Sequence, residues 1–289
     1  MAAPTTSKVE EVDVEALERL AVAVAVAAAR LVVDERPTEV EATATKSSPT
    51  DIVTAMDTRA EELIRGMLVR SRPDDGVLGE EGDDRQGSTG ITWVVDPIDG
   101  TVNYLYDIPA YAVSVAATTG DPRTPGRWHV LAGAVAEPAL RRVYHARRGG
   151  GAWRRDWHTD GIDDRSSGPL KVGTVHELSG ALVGTGFAYT AERRLKQAET
   201  LRGLLPRVRD IRRMGSAALD LVSVASGRLD GFYEVGLNPW DIAAGWLLVT
   251  EAGGVMTGND GGPPSRELTV AANPHLQPRL LALVDEAAG

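Results

Sequence analysis

The spacing of apolar residues in the first third of the chain predicts two helices. After a tail that extends to about Val12, a run rich in Ala, Leu and Val over Val14–Val33 predicts a packing helix. A second helix is predicted to begin at Asp57, because Asp is a favoured N-cap residue and an apolar face follows it. The residues of that face are Leu63, Ile64, Met67 and Leu68.

Short runs of β-favouring residues joined by turns follow in the same half, and they indicate a meandering sheet. The predicted strands are Val77–Leu78, Thr92–Val95, Ala112–Thr118, Val130–Ala136 and Arg141–Ala146. A polar stretch rich in Gly, Asp and Ser near residues 155–170 predicts a loop or a boundary. We therefore divide the chain into an N-terminal α+β half, residues 1–165, and a C-terminal α/β half, residues 166–289.

Beyond that boundary, strand-like runs alternate with helical patterns, which is typical of an α/β layer. The predicted strands are Ala181–Phe187, Val208–Ile211 and Gly231–Glu234. The predicted helices are Glu192–Leu205, Ala217–Ser226 and Pro239–Glu251.

Composition limits the chemistry that the chain can use. Of its 289 residues, 43% are apolar and 25% are charged, which describes a globular protein with a substantial core. The absence of cysteine excludes disulfides, thiolate metal sites and a cysteine nucleophile, so a bound metal would need oxygen or histidine ligands. The formal charge of -10 argues against binding to nucleic acid or anionic membranes. An anionic substrate would therefore need a bound cation to receive it.

Neither a membrane span nor a signal peptide is expected. The longest apolar run, Leu20–Ala29, is far shorter than the ~20 residues that cross a bilayer. The start of the chain is acidic and lacks the basic region with which a signal peptide begins. These features indicate a cytoplasmic protein.

Two acids end a predicted buried strand in the stretch WVVDPIDGTVNY, residues 93–104. Asp, Pro and Gly are common turn formers, so Asp96 and Asp99 could mark only a turn. Alternatively, these two carboxylates and the Ile98 carbonyl between them form a set of hard oxygen donors for Mg²⁺ or Ca²⁺. This stretch alone leaves both interpretations open.

Further acids occupy similar positions elsewhere. Glu80 and Glu81 follow a short predicted strand, where a run of charges is usually solvated. Asp241 follows Pro239 in the first turn of a predicted helix, where an acid can simply complement the helix dipole. Taken together, however, the acids recur at strand ends and helix starts, the positions that line the ligand crevice of an α/β sheet. The combination favours a metal site.

These segments together resemble the signature segments of the inositol monophosphatase family of Mg²⁺-dependent, lithium-sensitive phosphatases, in its bacterial form. They are GEE at 79–81, WVVDPIDGTVNY at 93–104 and WDIAAGWLLVTEAGG at 240–254. Supporting segments are KSSPTDIVTAMD at 46–57, GGGAW at 149–153 and RRMGSAALDLVSVASGRLDGFYE at 212–234. The resemblance extends over most of the chain, from about Lys46 to Gly254, and the ordered set is far more specific than any one segment.

The resemblance implies a layered αβαβα sandwich of the inositol monophosphatase and fructose-1,6-bisphosphatase type. It implies that Glu80, Asp96 and the Ile98 carbonyl hold a first Mg²⁺, and that Asp96, Asp99 and Asp241 hold a second. Glu80 is also implied to help hold a third ion. In such sites one ion lowers the pKa of the attacking water and another stabilises the departing alkoxide. The N-terminal half would supply most ligands, and the C-terminal half would complete the site.

The same resemblance implies that Asp57, Thr101 and Glu80 are catalytic, with Asp57 and Thr101 orienting and deprotonating the attacking water. The residues implied to contact substrate are Asp99, Gly100, Thr101, Ser216, Ala217, Glu234 and Asp241. Within this set, the backbone N–H groups of Gly100 and Thr101 would bind phosphate, and Glu234 would bind substrate hydroxyl groups.

One segment departs from the family pattern. Where the animal enzymes present a serine toward inositol, LVGTGFAYT at 182–190 offers Ala188 or Tyr189, which leaves the inositol contacts open. Lys46 resembles a lysine near the metal cluster, with a supporting electrostatic role at most. The pair Arg212–Arg213 is expected to be solvated or interface charge.

We therefore expect a Mg²⁺-dependent phosphomonoesterase that hydrolyses myo-inositol 1-phosphate. Alternatives of the same fold would act on histidinol phosphate, fructose 1,6-bisphosphate or a nucleotide 3′-phosphate. An alternative of another class is a non-catalytic interaction protein that binds a partner such as the transcription machinery. Family members are usually dimers, so the resemblance also implies a homodimer, together with inhibition by millimolar Li⁺.

Overall fold

Helices and strands alternate along the chain in the computed structural model, which describes residues 12–46, 52–158 and 161–288. The helices in this part are α1 (Val14–Asp34), α2 (Ala55–Ser71), α3 (Thr101–Leu105), α4 (Ala191–Leu204), α5 (Ala217–Ala225), α6 (Pro239–Glu251) and α7 (Gln277–Ala288). The strands are β1 (Ala42–Thr45), β2 (Ile52–Thr54), β3 (Gly76–Gly79), β4 (Ile91–Asp99), β5 (Ala112–Gly120), β6 (Trp128–Glu137), β7 (Arg142–Arg147), β8 (Ala152–His158), β9 (Gly161–Pro169), β10 (Leu182–Thr185), β11 (Asp210–Arg212), β12 (Gly231–Glu234), β13 (Val255–Thr257) and β14 (Thr269–Ala272).

Most of these strands belong to two sheets. The first has seven strands in chain order from β3 to β9, and only β3 and β4 are parallel. The second has five strands in the order β11-β10-β12-β14-β13, with β10 parallel to both β11 and β12. In the first sheet Gly79 lies opposite Val95. The two acids that follow them, Glu80 and Asp96, therefore come side by side.

Three layers of helices alternate with the two sheets, which gives five layers in all. α1 and α2 pack on one face of the seven-stranded sheet, and α6 packs on its other face. α5 packs beside α6 and also contacts the five-stranded sheet, whose far side carries α7 and, against α7, α4. The order α, β, α, β, α is the predicted sandwich.

Strand β5 illustrates why the central strands are apolar. Val113 and Val115 belong to the core cluster under α1, whereas Ala112 and Ala116 belong to the cluster around α5 and α6. Successive side chains of a strand point to opposite faces, so a strand between two helical layers must be apolar on both.

Two predictions about local structure were wrong. Asp57 is not the N-cap of α2: the N-cap is Thr54, and Asp57 is the third residue of the helix, whose carboxylate accepts a hydrogen bond from the Thr54 N–H at 2.8 Å. An acid at the third position of a helix accepts a hydrogen bond from a backbone N–H at the helix start, as an N-cap acid does. The sequence pattern therefore does not distinguish an acid at the third position from an acid at the N-cap. The predicted tail lies mostly outside the described residues.

Residues 155–170 are not simply a loop, because β8 and β9 pair antiparallel there. β9 is the edge strand of its sheet, where polar residues are tolerated because one side of the strand stays unpaired. The division of the chain after residue 165 remains a proposal; it falls within β9, whereas residues 170–181 connect the two sheets. Among the described residues, no helix combines the length and apolarity that a membrane crossing requires.

Candidate active site

A cavity of about 420 Å³ lies where strand ends of both sheets meet the first turns of α3, α5 and α6. Its wall includes most of the residues that the sequence predicted for the site: Glu80, Asp96, Ile98, Asp99, Gly100, Thr101, Ser216, Ala217, Glu234 and Asp241. Lys46, Ala188 and Tyr189 also line it. Asp57 stands behind this wall, in contact with Thr101.

Three carboxylates from separate elements converge in the cavity. One oxygen each of Glu80, Asp96 and Asp241 lies within 4.8 Å of the others. Glu80 follows β3, Asp96 lies in β4, and Asp241 is the third residue of α6, where its Oδ2 accepts a hydrogen bond from the Asn238 N–H at 2.6 Å. We call Glu80, Asp96 and Asp241 the acid trio.

Two features of the acid trio fit a divalent cation. Asp96 Oδ2 is buried without a hydrogen-bond partner among the described residues, although buried polar atoms nearly always have one. Burial, together with repulsion from Glu80, raises the pKa of Asp96 well above its ordinary value. Hard carboxylate oxygens are the ligands that Mg²⁺ and Ca²⁺ prefer, and a bound cation would satisfy the free oxygen and offset the repulsion.

Lys46 provides a positive charge beside the acid trio. Its Nζ lies 2.7 Å from Glu80 and 2.6 Å from Glu81. Burial opposes the charge on Lys46, but the attraction of Glu80 outweighs it and raises the lysine pKa. Burial raises the pKa of Glu80 to about 7, against the opposing effect of Lys46. Unlike Glu80, Glu81 is not part of the cavity wall.

Asp99 links β4 to the start of α5. Its Oδ2 accepts hydrogen bonds from Ser216 Oγ at 2.7 Å and from the Ala218 N–H at 2.6 Å. Burial raises the pKa of Asp99, and the hydrogen bond from Ser216 opposes that effect. Asp99 therefore lines the cavity beside the acid trio, with one oxygen already engaged.

Thr101 and Asp57 are in direct contact. Thr101 Oγ1 lies 3.0 Å from Asp57 Oδ1 and 3.1 Å from the Ile98 carbonyl, so its single proton can serve only one of these acceptors at a time. The other Asp57 oxygen is bound by Thr54, which fixes the carboxylate. Asp57 is only 1% exposed, and burial raises its pKa.

Gly100 joins the end of β4, beside the acid trio, to α3. Its φ of 103° lies in the left-handed region. A Cβ at this position would stand 3.0 Å from the Ala110 carbonyl oxygen and 3.1 Å from that of Gly215. Only glycine therefore fits between these segments without strain.

Glu234 ends β12 and lies directly over Gly186. A Cβ on Gly186 would stand 2.2 Å from both carboxylate oxygens of Glu234, so the glycine leaves the space that this carboxylate fills. Burial raises the pKa of Glu234 to about 8, with repulsion from Asp99 adding to it and Arg213 opposing it.

The sequence analysis gave no role in the site to two charged residues of this wall. Asp220, in α5, is 1% exposed, its Oδ1 has no partner among the described residues, and burial raises its pKa to about 8. Arg213 is exposed, as expected of a solvated charge, and it also lines the cavity and attracts Asp99 and Glu234. The sequence did contain one indication that Asp220 is buried, because it is an acid within the apolar run AALDLVSVA.

Comparison with known proteins agrees with this geometry. The model of the inositol monophosphatase family matches residues 13–288. A relative from Mycobacterium tuberculosis named inositol-1-monophosphatase SuhB is 48% identical over 252 residues, which cover 84% of this chain and 81% of the relative. A relative from Escherichia coli named Nus factor SuhB is 38% identical over 253 residues, covering 86% and 87%.

Solved structures share the arrangement of layers. The structure of Mycobacterium tuberculosis SuhB superposes with a TM-score of 0.78 at 42% identity, covering 96% of this chain and 98% of that chain. The structure of a Thermotoga maritima IMPase gives 0.79 at 26% identity, covering 95% and 100%. The predicted layered fold is confirmed.

Proposed function

This chain belongs to the inositol monophosphatase family, a family of metal-dependent phosphatases, and from that premise we propose that it hydrolyses a phosphate monoester in the cavity described above. The observation that carries the proposal is the acid trio. Three elements bring carboxylates within 4.8 Å of one another, around a buried oxygen that lacks a partner among the described residues. Lys46 balances Glu80, and the buried negative charge that remains on the acid trio is costly unless the protein binds a cation there.

We propose Mg²⁺ as the cofactor. Glu80, Asp96 and Asp241 would hold it, with Asp99 and the Ile98 carbonyl as further ligands, and the all-oxygen donor set supports a hard ion. When bound, the ion would lower the pKa of an attacking water and stabilise the charge on the departing oxygen.

The chain itself would move the proton of the attacking water. If the Thr101 hydroxyl donates to Asp57, its lone pairs are free to accept a hydrogen bond from that water. The raised pKa of Asp57 makes its carboxylate a better proton acceptor near neutral pH. Asp57 and Thr101 would thus act as one relay, beside Glu80, which we also propose as a catalytic residue and a metal ligand.

Other residues would position the ester. The N–H groups of Gly100 and Thr101 would bind its phosphate, while Glu234 would accept hydrogen bonds from hydroxyl groups of the alcohol. The remaining proposed substrate contacts are Asp99, Ser216, Ala217 and Asp241.

The proposed substrate is myo-inositol 1-phosphate, supported by the printed names of the mycobacterial relatives. Ala188 and Tyr189, where this chain departs from the family pattern, lie on the cavity wall. The specificity of this chain would therefore differ from that of the animal enzymes in its contacts with the alcohol. Histidinol phosphate, fructose 1,6-bisphosphate and nucleotide 3′-phosphates are the alternatives.

Phosphate release from these four classes of ester, measured with and without Mg²⁺, tests the proposal. We expect Mg²⁺-dependent release with the highest kcat/KM for myo-inositol 1-phosphate, inhibition by millimolar Li⁺, and loss of release in Asp99→Asn. If no ester releases phosphate with Mg²⁺, the proposed activity is wrong.

A second candidate is an interaction protein of the same fold, favoured by the relative named Nus factor SuhB. A binding module has no need of the acid trio, so we rank this candidate lower. It would gain support if partner binding persisted in Asp99→Asn while the wild type hydrolysed no ester. The homodimer and the cytoplasmic location remain predictions from the sequence.

A further inference from the structure

A buried glutamate that the proposed chemistry does not use lies beside the segment that carries Glu80. Glu61 is in α2, one helical turn after Asp57, and is only 2% exposed. It is not part of the cavity wall, so any effect that it has on the site must pass through its neighbours. A glutamate is rarely buried this deeply unless its charge is paired and hydrogen-bonded, so the partners of Glu61 indicate what it does.

Two of these partners are backbone N–H groups that come directly after Glu80. Glu61 Oε2 accepts a hydrogen bond from the Glu81 N–H at 2.8 Å, and its Oε1 accepts one from the Gly82 N–H at 2.8 Å. Strand β3 has ended at this point, so these N–H groups need a partner other than a neighbouring strand. The Glu61 carboxylate supplies it.

Arg65 holds Glu61 in this position. Its Nε donates to Glu61 Oε1 at 2.7 Å, and its Nη1 donates to the Asp83 carbonyl at 2.9 Å. One arginine therefore contacts both the acid and the segment that the acid binds. Hydrogen bonds between charged groups are shorter and stronger than those between neutral groups, so the carboxylate is firmly held.

Two glycines make room for the Glu61 carboxylate. A Cβ on Gly79 would stand 2.4 Å from Glu61 Oε1, and a Cβ on Gly82 would stand 2.8 Å from the same oxygen. Both distances are shorter than real Cβ contacts, so a larger residue at either position would displace the carboxylate. The sequence GEEG at 79–82 thus combines two acids with the space for a third.

The sheet by itself fixes only the start of this segment. The last paired residues of β3 and β4 are Gly79 and Val95, so the pairing of the two strands stops before Glu80. On the cavity side the Glu80 carboxylate contacts Lys46, which is a long and flexible side chain. Glu61, outside the cavity wall, is the partner that fixes the backbone directly after Glu80.

We propose that Glu61 is a positioning residue, which sets the affinity of the acid trio for Mg²⁺ by fixing the backbone that carries Glu80. The inference rests on the proposed cofactor and phosphatase function, and it assigns a role to a residue outside the cavity. Replacing a residue that orients a metal ligand typically costs about 10–100-fold in metal affinity or activity. Because Glu61 would contact neither the ion nor the substrate, its loss should raise the Mg²⁺ concentration that the protein needs without lowering kcat at saturation.

Glu61→Gln tests this role with almost no change in side-chain volume. An amide has one acceptor oxygen where the carboxylate has two, so at least one of the donors on Glu81, Gly82 and Arg65 loses its acceptor. We expect the Kd for Mg²⁺ in calorimetry to rise about tenfold or more, with kcat at saturating Mg²⁺ retained. The double variant with Glu80→Gln should bind Mg²⁺ little more weakly than Glu80→Gln alone, because Glu61 acts through Glu80.

Two controls separate positioning from stability. Asp75→Asn changes an equally buried acid at the other end of β3, where Asp75 accepts a hydrogen bond from Trp93 Nε1 at 2.9 Å. It should lower Tm but leave the Kd for Mg²⁺ unchanged. Glu62→Gln, which is exposed on the same helix as Glu61, should change neither. An unchanged Kd in Glu61→Gln, an equal rise in Asp75→Asn, or full additivity with Glu80→Gln would overturn the inference.

Gly82→Ala provides a second test that applies even if Glu61→Gln does not fold. The added methyl group displaces the Glu61 carboxylate without removing its charge, and Gly82 is exposed, so the fold has room to adjust. The Kd for Mg²⁺ should again rise. A folded Gly82→Ala protein that binds Mg²⁺ as tightly as the wild type would count against the role of Glu61.

Calorimetry measures Mg²⁺ binding without turnover, so it distinguishes failure of this inference from failure of the proposed function. If no ester is hydrolysed but the wild type binds Mg²⁺ and Glu61→Gln weakens that binding, the phosphatase proposal fails and the role of Glu61 stands. If esters are hydrolysed and Glu61→Gln binds Mg²⁺ as the wild type does, only the role of Glu61 fails. A wild type that binds no Mg²⁺ would overturn both the proposed cofactor and the role of Glu61.

Discussion

At the scale of single residues, the Thr101 hydroxyl links two possible roles of Asp57, a helix-capping role and a catalytic one. Asp57→Asn keeps an oxygen for the Thr54 N–H, so the free energy of unfolding should change by less than about 1 kcal/mol. A neutral amide cannot take a proton from Thr101, so kcat should fall by about 10²–10⁴-fold. Thr101→Ala should lose a similar factor, and the double variant little more. Wild-type kcat in Asp57→Asn, with its melting temperature unchanged, would leave Asp57 a structural residue only.

The two neighbouring glutamates and Asp96 allow a direct test of the metal ligands. Asp96→Asn should abolish turnover and weaken Mg²⁺ binding in calorimetry, because it neutralises the buried oxygen of the acid trio. Glu81→Gln is the control, since Glu81 contacts Lys46 but does not line the cavity. Equal loss of Mg²⁺ affinity in both variants would show that the ligand assignment is wrong.

A third prediction concerns Gly186, which lines the cavity beside Glu234. Gly186→Ala places a methyl group where the Glu234 carboxylate stands, so the carboxylate must move. We expect KM to rise about as much as in Glu234→Gln, with kcat less affected, because the lost contact is to the alcohol. Gly161→Ala, at a glycine with open space around it, is the control. Unchanged KM in Gly186→Ala would contradict the role of Glu234.

The sequence predicted the acid trio because each acid sits in a short, distinctive segment. Asp96 and Asp99 share one strand end, and Asp241 lies in the first turn of a helix with a proline start. Asp220 and Arg213 could not be predicted in the same way, because only the packing of α5 against the second sheet turns them toward the cavity. For Arg213, a charge in an exposed run and a charge in a cavity wall have the same local sequence signature, whereas Asp220 stood out only as an acid within an apolar run.

At the scale of elements, α1 is held by a buried ionic contact as well as by its apolar face. Glu18 lies 2.7 Å from His145 Nδ1 and 2.6 Å from Arg147 of β7. Burial opposes ionisation of Glu18, but hydrogen bonds from His145 and Arg147 outweigh it and lower the glutamate pKa. The stabilisation is therefore present above the ordinary pKa of glutamate and is lost as pH falls through the lowered value.

Removing this contact should destabilise the protein without changing its chemistry. Glu18→Ala leaves His145 and Arg147 without their hydrogen-bond acceptor, which should cost about 1–3 kcal/mol and lower Tm by roughly 5 °C, since the Arg147 side chain is partly exposed and can be solvated. Glu15→Ala on the same helix is the control, since its pair with Arg19 is exposed and contributes only about 0.3–0.5 kcal/mol. Thermal unfolding and kcat are measured on both. Equal Tm in the two variants would mean that apolar packing alone holds α1.

The helices and strands also show where the apolar pattern of the sequence no longer predicts secondary structure. The apolar runs of α1 and β5 predicted those elements, because a long buried run of apolar residues fits few structures other than a core helix or a core strand. β9 has the composition of a loop, GIDDRSSGP, and forms a strand only because β8 offers it a paired edge. Tertiary pairing thus overrides local propensity at the sheet edge, where no apolar pattern is needed.

At the scale of the whole molecule, stability should depend on pH and metal together. Burial raises the pKa of Asp220 and of Glu234 to about 8, from ordinary values of 3.8 and 4.5. Between those limits the folded state binds more protons than the unfolded state, so metal-free stability falls as pH rises and levels off above about pH 8. Tm of the metal-free protein should therefore decrease from pH 6 to pH 9.

Mg²⁺ should raise Tm by more at pH 9 than at pH 6, because protons compete with the ion for the carboxylates of Glu80, Asp96 and Asp241, whose pKa values burial also raises. Differential scanning calorimetry with and without Mg²⁺ measures both effects, and Asp220→Asn should flatten the metal-free profile. A metal-free Tm that is constant or rises between pH 6 and pH 9 would contradict the charge arrangement described for the cavity.

The position of α6 has a consequence for the order in which the protein is made. This helix covers the inner face of the seven-stranded sheet and carries Asp241, yet it is synthesised long after the strands that it covers. A ribosome that has released only the first sheet has produced an uncovered apolar face and two of the three acids. Such an unfinished chain can neither bury that face nor capture the ion that the complete acid trio is proposed to hold. Metal loading would therefore distinguish finished molecules from truncated ones, which would be left to chaperones and proteases.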